Sequence, residues 1–205
     1  MLRPDRPLEP VTLTGRRVRL EPLDERHLPA LATAIRDGEL WTLPVTLVPH
    51  PDDLPRFLAD AGDAFAASRE LAFATIDADS GTVVGSTRFM KIDRAHRRVE
   101  IGFTFIAASW QRSHVNTEAK FLMLRHAFEA WRCNRVELIT DVLNAKSRRA
   151  IERLGAQLEG VMRHHMVMRD GRIRDSALYG ITAAEWPSVR ATLERRIDIA
   201  CAISP

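Results

Sequence analysis

The chain has 205 residues, 45% of them hydrophobic and 28% charged, with a formal net charge of +3. That is enough for one sizeable core in an ordinary soluble globular domain. No apolar run approaches the roughly 20 residues that cross a bilayer, and the N-terminus lacks the apolar stretch of a signal peptide, so a cytoplasmic protein is expected. The two cysteines, Cys133 and Cys201, are far apart, which argues against a disulfide framework and against a zinc cluster.

Residues 1–10, with three prolines, suggest a loose arm. Residues 18–20 have strand character, after which Asp24 can cap a helix carrying Leu28, Leu31, Ala34 and Ile35 on one face. A second helix is predicted over 51–68, where Leu54, Phe57, Leu58, Ala61 and Phe65 recur at helical spacing. The proline-interrupted stretch 41–50 between them is a loop. From residue 71 the period changes to two: 72–76, 83–92 and 99–106 alternate, and turn residues at 79–81 and 93–95 separate them, giving a three-stranded antiparallel meander.

A polar loop then opens into a helix over 117–131, with Phe121, Leu124, Ala127 and Phe128 inward. A strand at 136–140 and a helix at 144–154 that stops at Gly155 follow. Segments 158–168 and 173–181 flank the hairpin signal Asp170-Gly171, and Thr182 with Glu185 forms a capping box before the last helix. The order predicts an α/β protein of the α+β type with a largely antiparallel sheet. The strand at 173–181 could complete this sheet within one subunit or support the edge of a homodimer.

Residues 111–120 carry the most chemistry. The first N–H groups of a helix have no partner inside it and lie at the positive end of the macrodipole, so such a junction can hold a phosphate, and Arg112 adds a full charge. A plain strand-to-helix crossover explains the same residues. The positive balance is almost wholly arginine, with lysine only at 91, 120 and 146. This is weak support for nucleic-acid binding, for which no aromatic or helix-turn-helix pattern is present, and it fits an anionic small cofactor as well.

The joint order of these segments resembles the GCN5-related N-acetyltransferase (GNAT) superfamily, in its RimJ/RimL-like branch. Gln111-Arg112-Ser113-His114-Val115-Asn116 stands where the family has its Gln/Arg-x-x-Gly-x-Gly/Ala pyrophosphate loop. Asn144 to Ser147, with 150–156, looks like the segment beneath the pantetheine arm, and Glu159-Gly160 and 170–179 resemble the closing hairpin. Coverage runs over 11–187, with 1–10 an N-terminal arm and 188–205 a C-terminal helix and tail of the same domain. The resemblance implies a twisted sheet of about seven strands split between strands 4 and 5, acetyl-CoA as co-substrate, no metal, and transfer of an acetyl group to a primary amine in a ternary complex. The acceptor would be a protein N-terminal α-amine or a small-molecule amine. His114 and Asn116 depart from the family glycines, and they motivate an alternative: a catalytically weak CoA-binding or protein-interaction module on the same fold.

By the same resemblance, backbone groups of Phe105, Ile106 and Ala107 would meet the pantetheine and the thioester. Gln111, Arg112, Ser113, His114, Val115, Asn116 and Thr117 would seat the pyrophosphate. Asn144 reads as a helix N-cap with Ser147 on the same side; the family adds a pantetheine contact for Asn144 and a place near the thioester sulfur for Ser147, positioning first and acid second. Glu100 alternates opposite Val99 and Ile101, on the side of Gly102 and Thr104, and is the most plausible base, through water. A surface pair with Arg88 or Arg97 is its competing explanation. His164 and His165 are alternative bases, of which at most one can face the cleft because consecutive strand residues point oppositely. Trp41 and His50 are candidates for the acceptor side, against core packing and loop filling.

Overall fold

Alternating apolar residues become strands where turns return the chain on itself. In a computed structural model that describes residues 7–203, β1 (Leu13–Thr14), β2 (Val18–Pro22), β3 (Leu71–Asp77), β4 (Val83–Asp93) and β5 (Arg98–Ile106) follow one another antiparallel. The sheet continues with β6 (Arg135–Asp141), β7 (Gln157–Val167) and β8 (Ile173–Thr182), in the order β1-β2-β3-β4-β5-β6-β8-β7. The eighth strand relative to expectation is the two-residue β1, which shifts the split from strands 4 and 5 to β5 and β6. The strand at 173–181 lies inside the sheet between β6 and β7, so it completes one subunit, and β7 is the outer strand.

Two helical layers cover the sheet. On one face α3 (His114–Arg125) and α5 (Trp186–Ile203) bury Val115, Leu122, Met123, Leu124 and Leu193 with Val99, Ile101, Val136 and Leu138 from the strands. On the other, α1 (Leu28–Arg36) and α2 (Leu54–Ala66) form a second cluster of Leu31, Ile35, Leu54 and Phe57 with Phe105. Several helical segments begin where a side chain replaces the missing backbone acceptor. Asp24 and His27 make a reciprocal capping box before α1, and Asn144 Oδ1 accepts from Ser147 N–H at 3.0 Å to start α4 (Ala145–Arg153). Thr182 N–H and Oγ1 both donate to Glu185 before α5. Gly155, at φ +96°, ends the α4 segment in the left-handed region that glycine enters without a Cβ clash.

Two expectations shift, and one buried charge is added. The helix predicted from 117 starts at His114 and gives way after Arg125 to a π turn over His126–Ala130. The arm is anchored where it is described, with Leu8 buried and its N–H donated to Ser68 Oγ at 3.1 Å, while residues 1–6 lie outside the described residues. Glu118 of α3 is buried and accepts the backbone N–H groups of Arg16 and Arg17.

Candidate active site

The site is set by where pairing stops. β5 and β6 run parallel and pair only through Arg98–Arg135, Val99–Val136 and Glu100–Glu137, after which they diverge. A bulge helps β5 leave: Ser86 pairs with Phe105 and Arg88 with Gly102, so Thr87 faces both Phe103 and Thr104. Phe103 takes a left-handed φ of 49°, a strained conformation for a phenylalanine. The extra residue reverses the alternation beyond it. Thr104 therefore points to the α3 face instead of joining Glu100, and Phe103 and Phe105 pack toward α2, where the Phe57 ring lies 5.9 and 6.2 Å from theirs.

At the parting of the strands the Ala107 N–H is donated back to Val84 O at 2.9 Å. The Ile106 carbonyl accepts from Gln111 Nε2 at 2.8 Å. Of the 105–107 backbone, the Ile106 peptide is thus the one turned to the split. Gln111 Oε1 in turn accepts from Lys146 Nζ on α4, so the loop and the second helix meet across the opening.

The loop before α3 is organised around its helix cap. Ser113 is the N-cap: its Oγ accepts from Val115 N–H at 3.3 Å and donates to Trp110 O at 2.6 Å. The backbone conformation that favours glycine falls on Arg112, at φ 63°, and not on His114 or Asn116, which are helical. The two departures from the family pattern therefore carry no backbone strain. The Arg112 side chain is exposed with no protein partner among the described residues, and Val115 is buried as the inward anchor of the first turn. Asn116 and Thr117 are half-buried on that turn. The His114 ring is not outward: Nε2 lies 3.1 Å from Asp77 Oδ1 and the side chain is 10% exposed. Burial pushes the Asp77 carboxyl up, but hydrogen bonds from Ser80 and His114 outweigh it and leave the group below the usual carboxylate range.

On the α1/α2 face, Glu100 is buried beside Gly102, where an added Cβ would meet Glu100 Oε1 at 3.0 Å. Its partner is neither Arg88 nor Arg97. Lys91 Nζ stands 2.8 Å from Oε2, off hydrogen-bonding geometry, whereas Arg88 bonds Glu70 and stacks over Phe57 and Phe103. β7 carries a second bulge between Met162 and Met166, with His164 at φ 52° and its N–H on Asp175. His164 is exposed, and His165 is half-buried with Nδ1 3.0 Å from Ser176 Oγ, although the bulge interrupts the simple alternation expected there. Burial, with Lys91 and Arg174, pulls His165 below the usual histidine range against the pull of Glu100.

Asn144 is accounted for by its cap, and Ser147 is half-buried on the same turn. Trp41 packs edge-on to His50 at 5.1 Å and against the second core cluster, and His50 Nδ1 caps the short turn Pro51–Asp53. Arg169 and Arg172 of the β7–β8 turn donate to Val48 O and Pro44 O, which holds the 41–50 loop over this side, and Arg172 also meets Asp141 Oδ2 at 2.6 Å.

Sequence reasoning passed over Lys91, Lys120, Lys146, Asp141, Arg174 and Ser176. One signal pointed to three of them: in a chain whose cations are nearly all arginine, each lysine sits at this site. Lys120 is buried under the β5 bulge, with Nζ 2.9 Å from Thr87 Oγ1 and 2.6 Å from Thr104 Oγ1, and burial lowers it to about 7. Cys133 is elsewhere, in a groove of about 640 Å³ with Phe128 and Trp186, and burial pushes its thiol up to about 12.

A mixed sheet whose parallel central strands part between two capped helix N-termini defines the acetyltransferase class of fold. The chain belongs to the GNAT family, whose acetyltransferase domain model matches residues 17–157. It is 31% identical over 106 residues to YdaF of Bacillus subtilis (strain 168), provisionally named a ribosomal N-acetyltransferase, a stretch that is 52% of this chain and 57% of YdaF. Among solved structures, a GCN5-related N-acetyltransferase from Brucella melitensis superposes with a TM-score of 0.83 at 32% identity, covering 94% of this chain and 87% of that one. Mycobacterium smegmatis RimJ in complex with CoA-disulfide matches in fold, with a TM-score of 0.78 at 24% identity over 91% of this chain and 95% of that one. No helix among the described residues is long and apolar enough to cross a membrane.

Proposed function

We propose that the chain transfers the acetyl group of acetyl-CoA to a primary amine, with a protein N-terminal α-amine as the favoured acceptor. The observation that carries this reading is the split itself: a strand edge at Ile106 that β6 leaves unpaired, its carbonyl held by Gln111, flanked by the Arg112 loop on one side and the Asn144 helix on the other, with a buried carboxylate, Glu100, on the opposite face. Acetyl-CoA supplies an activated thioester. The protein's part is to hold it, to accept a proton and to keep water out.

Arg112 and the first N–H groups of α3 bind the pyrophosphate, and the Ile106 peptide and Asn144 orient the pantetheine. The amine nitrogen attacks the acetyl carbonyl carbon, the carbon–sulfur bond breaks, and a proton leaves the nitrogen for Glu100 through water. The sulfur departs as a thiolate, which at a thiol pKa of about 8.5 needs little acid help, so Ser147 positions more than it protonates. Support for a protein acceptor comes from the likeness to YdaF and from the modest demand on the base, since an α-amine with a pKa near 8 is roughly a tenth free at pH 7.

Calorimetric titration tests the binding half. Acetyl-CoA should bind saturably, and Arg112→Glu should weaken it at least about tenfold through loss of a charge-assisted contact. Absence of acetyl-CoA affinity in the unsubstituted protein contradicts the reading.

A further inference from the structure

The acceptor face contains a chain of side chains that the transfer chemistry above leaves unused. Arg174 is buried and donates Nε–H to Ser176 Oγ at 2.8 Å; Ser176 is fully buried, and the same oxygen lies 3.0 Å from His165 Nδ1. Resting on the acetyl-transfer reading, we infer that Arg174 and Ser176 fix His165 with its proton on Nε2, so that it meets the acceptor as a hydrogen-bond donor and leaves Glu100 as the proton acceptor.

The direction of each bond follows from what each group can do. A guanidinium donates and never accepts, so the Arg174 bond uses a lone pair of Ser176. The serine hydrogen, buried, then has His165 Nδ1 as its recorded acceptor. Were Nδ1 protonated, both contacts would be donated to the serine, and its own O–H would be buried without an acceptor, an arrangement native interiors avoid. A doubly protonated ring would also stand with Lys91 and Arg174 against Glu100 alone, and the downward pull on His165 agrees with a neutral ring. Nε2, at the far corner of the imidazole, has no protein partner among the described residues. A neutral histidine with Nδ1 occupied as an acceptor cannot take a proton from the amine except by releasing that bond.

A carboxylate that accepts and an imidazole that donates match an acceptor with N–H groups beside a carbonyl. The terminal residue of a peptide has both, its α-amine one carbon from the first peptide carbonyl; a simple alkylamine has only the first. His165 is thereby a specificity residue for α-aminoacyl acceptors, and Arg174 and Ser176 are positioning residues.

Nitrogen-15 histidine NMR of the full chain at pH 7.5 decides the tautomer without any turnover, so it stands apart from the acetyl-transfer reading. The expected spectrum has His165 neutral with a pyrrole-type Nε2, and Ser176→Ala converts it to a mixture of tautomers. An Nδ1–H or imidazolium form in the unsubstituted protein, or an unchanged tautomer in Ser176→Ala, overturns the inference. Kinetics add a second arm. His165→Ala should lower kcat/KM about tenfold for an N-terminal peptide, the loss of one hydrogen bond, and much less for an alkylamine of the same bulk. His165→Gln, whose amide N–H can replace the donor, should recover part of the loss, and equal losses for peptide and alkylamine contradict the specificity role.

Discussion

Glu100 and Lys120 show how one strand gives two ionisable groups opposite tasks. Glu100 is buried on the α1/α2 face with a lysine 2.8 Å away, and in the proposed reaction it takes the proton of the amine. Replacing it with glutamine keeps the shape and removes the basicity, so kcat for an α-amine should fall roughly a hundredfold at pH 7. The deficit should shrink at pH 9, where an amine of pKa near 8 is already free; initial rates across that range check it, and a pH-independent deficit contradicts the base role.

Lys120, on the α3 side of the bulge, has hydroxyls for company. Its value of about 7 in the folded chain lies below the ordinary 10.5, so the unfolded chain binds the extra proton between those values. The cost of burying the cation is then fully present below pH 7 and fades as pH rises toward 10.5. Lys120→Met should raise Tm more at pH 6 than at pH 10. Calorimetric melts at the two pH values test this, and an equal change at both would show that charge burial is not the cause.

Helix starts and strand bulges, more than the strands themselves, shape the site. Asn144 accepts the Ser147 N–H, and Asn144→Ala should cost about 1 kcal/mol of stability through the lost cap. That corresponds to a fall of about 2–4 °C in Tm for a chain of this size, read by thermal melting. The capping residues were legible because N-cap chemistry is local: Asp24, Asn144 and the Thr182/Glu185 pair each stand where their side chains announce them. The three meander strands were legible from their period. The bulges at Phe103 and His164 were not, since an inserted residue leaves the apolar alternation intact on each side and shows only in the register with the neighbouring strand. Thr104 was therefore assigned to the wrong face, while Glu100, upstream of the bulge, was assigned to the right one. The contact made by His114 was not legible for a related reason. Its partner Asp77 lies 37 residues earlier, and no local rule joins a helix start to the end of a distant strand.

Across the whole molecule, the arrangement divides labour between the two faces of the sheet. The α3/α5 face carries the larger core and fixes the helix whose N-terminus is proposed to meet the pyrophosphate. The α1/α2 face, with the 41–50 loop held by Arg169 and Arg172, lies on the side proposed for the acceptor. The scarce lysines stand on both sides, Lys91 beside Glu100, Lys120 under the bulge and Lys146 across the split at Gln111.

The most direct test of acetyl transfer is a thiol-release assay with acetyl-CoA and a panel of N-terminal peptides and small amines, followed by mass spectrometry of the acceptor. Free CoA thiol should appear in step with acetylation of an α-amine and fall sharply in Glu100→Gln. Acetyl-CoA binding with no thiol release above hydrolysis for any member of the panel would contradict the proposed transfer.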